Sequence, residues 1–268
     1  MIFLEDKLKM FHDKLSYVQG CLDYIAEGVT LSIIHKIWRL MMKYDVILFD
    51  ADDTLFDYGM AEGQAFLNVF THFGLPAGAQ EYADSYQEIN RALWADLEAG
   101  QITPAALRVE RFNRLFMQHN LQYNPEEFSE AYLRFLGEGT FLIQGAVELC
   151  GALEGCRLAI ITNGFKDVQL SRIQGSPLAE TFEQIIISEE AGYQKPAAGI
   201  FDYAFDKLGL SDKSRVLIVG DSLTSDIRGG MNYGIDTCWF NPLAKTNSAG
   251  VKPTYEIRDL AELLDIVR

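Results

Sequence analysis

The chain has 268 residues, of which 49% are hydrophobic, and its 38 acidic side chains outnumber 23 basic ones. This hydrophobic fraction excludes a disordered or collagen-like chain, and the net charge of −15 argues against a partner that is a nucleic-acid polymer, because neutralising phosphates requires a basic face. Four cysteines at no metal-ligand spacing are typical of small buried residues in a reducing compartment. No apolar run approaches the roughly 18 residues that cross a bilayer, so we expect a cytoplasmic protein with no membrane partner.

The N-terminal residues 1–42 have a pattern of their own. Apolar residues recur at alternating steps of four and three from Leu4 to Val29, which predicts a helical extension with one apolar face. Three interpretations stay open for it. The helix packs on the rest of the chain, it mediates self-association, or translation begins at Met41 or Met42.

Short apolar runs alternate with helical patterns from Tyr44 onward. Such alternation predicts an α/β fold, with a parallel sheet covered by helices on both faces. The predicted strands are residues 46–49, 158–161, 185–187, 216–219 and 237–240.

Residues 57–144 interrupt this alternation with helical patterns only. The predicted helices in this segment are residues 61–73, 81–98, 104–119 and 125–136. We therefore expect an α/β core formed by residues 43–56 and 145–268, and an all-helical insertion formed by residues 57–144.

Two carboxylates follow the first predicted strand. Asp50 and Asp52 are one residue apart, so they share roughly the same side of an extended chain. At about 4 Å such charges repel by about 4 kcal/mol at an effective dielectric constant near 20, and a fold keeps them only with a cation or a proton between them. One aspartate can then be a nucleophile and the other a general acid and base. A solvated turn is the alternative.

The next three strand ends are also polar. Thr162 and Asn163 follow the second strand, and Lys195 stands in the loop after the third, where we expect Pro196 to begin a helix. Each of these residues alone also suits an ordinary helix cap or a surface lysine.

The fourth strand is followed by Asp221 and then Asp226, a pair of hard oxygen donors that suits Mg²⁺. Ligands bind at the carboxyl ends of parallel strands. Four such ends in succession, bearing carboxylates, phosphate-type donors and a lysine, predict a site for phosphoryl transfer.

These segments resemble a known family. DADDT, the threonine of IITNG, the lysine of YQKP and the aspartates of GDSLTSD resemble the four motifs of the haloacid dehalogenase (HAD) superfamily. The resemblance implies a Rossmannoid core, and the insertion resembles the C1 cap of that superfamily. NRALWADLEAGQIT, ISEEAGYQKP and GIDTCWFNP are similar to segments of the bacterial pyrimidine 5′-nucleotidases, which implies a substrate such as UMP, dUMP or dTMP.

The resemblance also implies roles for the motif residues. Asp50 would be the nucleophile, and Asp52 would protonate the leaving oxygen and later deprotonate water. Thr162, Asn163 and Lys195 would bind the phosphoryl group, and Lys195 would also balance the charge of Asp50. The ligands implied for Mg²⁺ are Asp50, the main-chain carbonyl of Asp52, Asp221 and Asp226.

The helical insertion carries the candidates for substrate recognition. Asn90, Arg91 and Trp94 recur at helical spacing and could meet the base, although Trp94 also suits a packed aromatic residue. Residues 57–144 contain no lysine, which excludes a phosphonate hydrolase that uses a Schiff base from the cap. A phosphatase or phosphomutase acting on phosphosugars is the runner-up. A non-catalytic binding protein is a third reading, but it would have no use for an acid at Asp52.

Overall fold

The computed structural model describes residues 42–268. The predicted N-terminal helix, with its three interpretations, lies outside these residues. The centre of the fold is a six-stranded parallel sheet in the order β3-β2-β1-β4-β5-β6. Its strands are β1 (Val46–Phe49), β2 (Arg157–Thr162), β3 (Gln184–Ile187), β4 (Val216–Gly220), β5 (Asp236–Phe240) and β6 (Tyr255–Ile257).

Eleven α-helices accompany the sheet in the described part of the chain. Five of them lie between β1 and β2: α1 (Tyr58–His72), α2 (Gly78–Glu81), α3 (Ala83–Glu98), α4 (Pro104–His119) and α5 (Pro125–Gly137). The others are α6 (Ala146–Ala152), α7 (Lys166–Gln174), α8 (Ser188–Ala191), α9 (Ala198–Leu208), α10 (Arg228–Tyr233) and α11 (Leu263–Val267). A π-helical turn, Leu223–Ile227, precedes α10, and a 3₁₀ turn, Leu260–Glu262, precedes α11.

Both faces of the sheet are buried, which explains why its strands read as continuous apolar runs. Ile47 and Phe49 of β1 belong to a cluster on one face, together with Leu263 of α11. Val46 and Leu48 belong to a cluster on the opposite face, together with residues of α9. The predicted α/β class and all five predicted strands are confirmed within one residue at each end.

The helical insertion has a hydrophobic core of its own, rich in aromatic rings. Phe70 and Phe112 each pack against Phe128, with ring centroids 5.0 and 4.9 Å apart. Thr103 caps α4 by accepting a hydrogen bond from the main-chain N–H of Ala106, as expected for threonine before a proline at the first helical position. The helices between residues 57 and 144 therefore share a hydrophobic core that is separate from the clusters on the two faces of the sheet, and we call them the cap.

Three details differ from the sequence-based expectations. The helix expected over residues 81–98 begins two residues later, at Ala83, and Tyr82 separates it from the short helix α2. Pro196 lies in a turn closed by a hydrogen bond from Ala197 N to Gln194 O (2.9 Å), so the next helix begins at Ala198 rather than at the proline. Strand β6 was not predicted, because three residues are too few for a periodic signal.

Helices long and apolar enough to cross a bilayer do not occur between residues 42 and 268.

Candidate active site

The loop after β1 begins with Asp50, which is 7% exposed at the carboxyl end of the strand. Its main-chain N–H continues the ladder by donating to Val219 O of β4 (2.9 Å). The loop then folds tightly, since the N–H groups of Leu55 and Phe56 both donate to Ala51 O at 3.0 and 2.9 Å. This turn brings the side chains that follow Asp50 back over the end of the sheet.

Lys195 lies directly beside Asp50. Its side chain is 1% exposed, and its Nζ donates to Asp50 Oδ1 (2.5 Å), Asp226 Oδ1 (2.6 Å) and Ile161 O (2.7 Å). These contacts match the three donors of an ammonium group. Burial alone would lower the pKa of Lys195, but the carboxylates of Asp226 and Asp50 raise it above its usual value. The lysine is therefore a buried cation that joins two strand ends.

Three carboxylates form a compact acidic cluster at this edge. Asp50, Asp221 and Asp226 each offer one oxygen, and these oxygens lie within 4.8 Å of one another. Burial, with help from the other two aspartates, raises the pKa of Asp50 well above its usual value despite the nearby lysine. Burial and Asp226 raise the pKa of Asp221 to about 7. Hard carboxylate oxygens around an excess of negative charge fit the requirements of Mg²⁺.

The end of β4 is shaped to hold Asp226 in this cluster. A Cβ atom on Gly220 would stand 2.3 Å from Asp226 Cγ, so only glycine allows this close approach. The main-chain N–H of Ser222 donates to Asp226 Oδ2 (3.0 Å). The Oγ of Ser222 accepts from the N–H of Ser225 (3.2 Å), which caps the π-helical turn. The chain thus folds back so that Asp226 faces the sheet end.

The residues after β2 contact the same region. Thr162 is 1% exposed. Both ends of the Asn163 amide bond the main chain of Lys195, with Nδ2 donating to Lys195 O and Oδ1 accepting from Lys195 N, each at 2.8 Å. This contact fixes the lysine loop against the end of β2. Phosphoryl binding by Asn163 stays a prediction.

Two residues that the sequence analysis did not single out hold Asp52. Gln169 Nε2 donates to Asp52 Oδ2 at 2.7 Å, and Arg172 forms an ion pair with Asp52 Oδ1. Both come from α7, where their spacing of three residues places them on one face. That face is otherwise apolar, so two long polar side chains on it were a signal available in the sequence.

The cap candidates are not all brought together. Asn90 is 7% exposed, and its Nδ2 donates to Glu62 Oε1 (3.0 Å). Trp94 is half-buried and packs on Phe165, which follows Gly164 of the second motif, with ring centroids 5.8 Å apart. Arg91, in contrast, lies on the exposed side of α3.

A cleft of about 440 Å³ separates the cap from the strand ends. Its lining includes Trp94, Phe165 and Tyr193. Gln194 forms part of its wall and donates from Nε2 to the carbonyl of Leu97 in the cap (3.0 Å). Gln194 precedes Lys195 in the chain, but Asp50, Asp221 and Asp226 are not among the residues that line this aromatic cleft.

A second contact joins the cap to the α/β core near this cleft. Arg108 of α4 makes a bidentate ion pair with Asp167 of α7, at 2.9 and 2.8 Å, and also contacts Glu189. Its guanidinium lies 4.3 Å from the ring centroid of Phe165. The hydrogen bond from Arg108 lowers the pKa of Asp167. The cap is therefore held over the strand ends by both charge and stacking.

The chain is similar in sequence to proteins of a known family. A family model described as haloacid dehalogenase-like hydrolase matches residues 44–234. A pyrimidine 5′-nucleotidase of Escherichia coli is 39% identical over 223 residues, which is 83% of this chain and 97% of the relative. A pyrimidine 5′-nucleotidase of Streptococcus pneumoniae is 36% identical over 226 residues, which is 84% of this chain and 95% of the relative.

A solved structure of a HAD-hydrolase of Bacillus subtilis, bound to magnesium, is similar to the whole described fold. It is 38% identical with a TM-score of 0.78, and the match covers 84% of this chain and 98% of that one. That structure is described as revealing interdomain movement.

Proposed function

We propose that this chain is a Mg²⁺-dependent 5′-nucleotidase for pyrimidine nucleoside monophosphates. The chain belongs to the haloacid dehalogenase-like hydrolases and is a phosphatase of that family. The observation that carries the proposal is the contact of buried Lys195 with Asp50 at 2.5 Å, inside a cluster of carboxylates that fits a divalent cation. Asp52, two residues further on, supplies the acid that a phosphate ester requires.

The proposed reaction has two steps at Asp50. A carboxylate oxygen of Asp50 attacks the phosphorus. The bond from phosphorus to the ribose 5′ oxygen breaks while Asp52, which begins the cycle as the carboxylic acid, gives its proton to that oxygen. Asp52 then takes a proton from water, and the hydroxide formed attacks phosphorus and breaks its bond to Asp50. Inorganic phosphate leaves, and both aspartates return to their starting state.

The remaining groups act on charge and orientation. Lys195 holds Asp50 in place through its 2.5 Å contact and opposes the rise in the pKa of this carboxylate that burial causes. Thr162, at the end of β2, offers a hydroxyl to an oxygen of the transferring phosphoryl group. Asp50, the Asp52 carbonyl, Asp221 and Asp226 would hold Mg²⁺, which would supply positive charge to the phosphoryl oxygens.

A pyrimidine nucleotide is favoured as substrate by the aromatic cleft between the cap and the core. Its aromatic lining, which includes Trp94 and Tyr193, offers flat surfaces on which a base can stack. A volume of about 440 Å³ is within the usual range for small-molecule sites. The two relatives named as pyrimidine 5′-nucleotidases support the same choice.

The test is a comparison of initial rates with Mg²⁺ on UMP, dUMP, dTMP and a set of hexose phosphates. We expect kcat/KM to be highest for a pyrimidine nucleotide. Trp94→Ala should raise the KM for UMP. Trp94→Phe should have a KM closer to that of wild type, because a ring is retained. A preference for hexose phosphates would replace the proposal with a phosphosugar phosphatase. An isomeric sugar phosphate as product would indicate a phosphomutase. Binding of phosphate esters without turnover would indicate a non-catalytic protein.

A further inference from the structure

Both carboxylate oxygens of Asp52 are held by α7. Gln169 Nε2 donates to Oδ2 at 2.7 Å, and Arg172 Nη1 pairs with Oδ1. The Asp52 side chain is 26% exposed, whereas that of Arg172 is 1% exposed. A buried guanidinium is costly unless it is paired. The fold therefore retains a buried cation whose carboxylate partner is Asp52.

Arg172 is anchored on its other side at the base of the cap. Its Nε donates to Gly139 O at 3.0 Å. Gly139 is packed so closely on α1 that a Cβ atom there would stand 2.7 Å from the Cβ of Ala61. The guanidinium also lies 5.3 Å from the ring centroid of Phe56, on the outgoing crossing from core to cap. Arg172 thus contacts both crossings between the core and the cap.

Gln169 places the same carboxylate beside the second motif. Its Nε2 lies 3.3 Å from Thr162 Oγ1 as well as 2.7 Å from Asp52. The approach depends on Gly164, since a Cβ atom there would stand 2.6 Å from Gln169 Nε2. One amide group thus lies between the side chains of Asp52 and Thr162.

We propose that Gln169 and Arg172 are positioning residues for Asp52. They hold its carboxylate next to Thr162, at a place set by the carbonyl of Gly139 at the cap base. This inference rests on the proposed role of Asp52 as the acid that protonates the leaving oxygen. Neither residue transfers a proton or touches the reacting atoms. Without Gln169 and Arg172, the Asp52 side chain would sample more rotamers. Its carboxyl group would then lie near the leaving oxygen in a smaller fraction of enzyme–substrate complexes.

The main test compares two leaving groups in Arg172→Met. An alkoxide such as the ribose 5′ oxygen needs a proton, whereas p-nitrophenolate leaves without one. We expect kcat on UMP to fall by roughly 10- to 100-fold, the usual range for a supporting residue, with KM changed little. The loss on p-nitrophenyl phosphate should be several-fold smaller. Arg172→Lys should recover part of the loss on UMP, because it keeps a donor for Asp52.

A double-mutant cycle separates positioning from general damage. If Arg172 acts through Asp52, adding Arg172→Met to Asp52→Asn should change the UMP rate by less than about threefold. Gln169→Leu gives a second variant without loss of a buried charge, and it should show the same selectivity for leaving group if Arg172→Met fails to fold. Arg157→Met is the matched control, since it removes an Arg–Glu ion pair at the opposite end of β2.

Equal losses on the two substrates, or additive losses in the cycle, would overturn the inference in favour of a structural role. A failure of the proposed function would show in wild type and in Asp52→Asn, which contain both Gln169 and Arg172. If wild type prefers a different alkyl phosphomonoester, the same comparison is made with that ester. If Asp52→Asn alone shows no dependence on the leaving group, then the acid role fails and the positioning inference fails with it.

Discussion

Lys195 Nζ lies 2.5 Å from Asp50 Oδ1, although 145 residues separate the two along the chain. Both side chains are almost fully buried. The ammonium also contacts Asp226 at 2.6 Å, so one cation serves carboxylates from two different strand ends. Truncating one partner of a buried ion pair leaves the other uncompensated. Stability and activity are therefore linked at this lysine.

Lys195→Met should lower both the free energy of unfolding and the phosphatase activity. Loss of a partner from a buried pair costs about 3–5 kcal/mol, so we expect a clear fall in the free energy of unfolding, measured by urea denaturation, as well as loss of phosphatase activity. Lys207→Met, at an exposed position of α9, is the control and should change neither. A Lys195→Met protein as stable as wild type would show that the ion pairs contribute little.

Asp50→Asn should abolish turnover while the fold survives, because the amide is isosteric but is not a nucleophile. We expect at least a ~1,000-fold fall in kcat on UMP, with an unchanged circular dichroism spectrum. Asp53→Asn is a suitable control in the same loop, since asparagine tolerates the left-handed backbone (φ 57°) found there. Activity above a tenth of wild type in Asp50→Asn would refute the nucleophile assignment.

Mg²⁺ should stabilise the folded chain and restore activity after chelation. A ligand that binds only the folded state adds about 2.7 kcal/mol at 100 times its Kd, so the melting temperature should rise with Mg²⁺ concentration. Asp221→Asn removes one oxygen donor of the cluster and should shift this titration to higher concentrations. A melting temperature that is independent of Mg²⁺ in wild type would contradict the metal site.

The metal-free protein should lose stability as pH rises from about 4 to about 7. Burial raises the pKa of Asp221 to about 7, whereas an aspartate in the unfolded chain titrates near 3.9. Between these values the folded state binds more protons than the unfolded state, so the free energy of unfolding falls with increasing pH.

Urea denaturation in a chelating buffer across this pH range measures the effect. Asp221→Asn should flatten the pH dependence, and Asp206→Asn, at an exposed position of α9, should leave it as in wild type. Equal slopes for wild type and Asp221→Asn would contradict the assignment of the raised pKa to Asp221.

Much of the fold was readable in the sequence. The strands are buried on both faces, so their apolar runs predicted both ends of β1 and placed β2 to β5 within one residue at each end. Pro104 after Thr103 marked the start of α4 because capping is a local interaction. Strand β6 and the break at Tyr82 were missed, since neither produces a periodic pattern.

The candidate site likewise has some features that the local sequence determines and others that depend on tertiary packing. The sequence by itself determined that carboxylates, a threonine and a lysine follow successive strands, because these positions are properties of the chain. Only the tertiary structure decided that β1 lies between β2 and β4, which brings Asp50 to Lys195 and Asp226. The contacts of Asp52 with Gln169 and Arg172 depend on the packing of α7 beside that loop. Side-chain partners far apart in sequence are set by packing, and no local pattern encodes them.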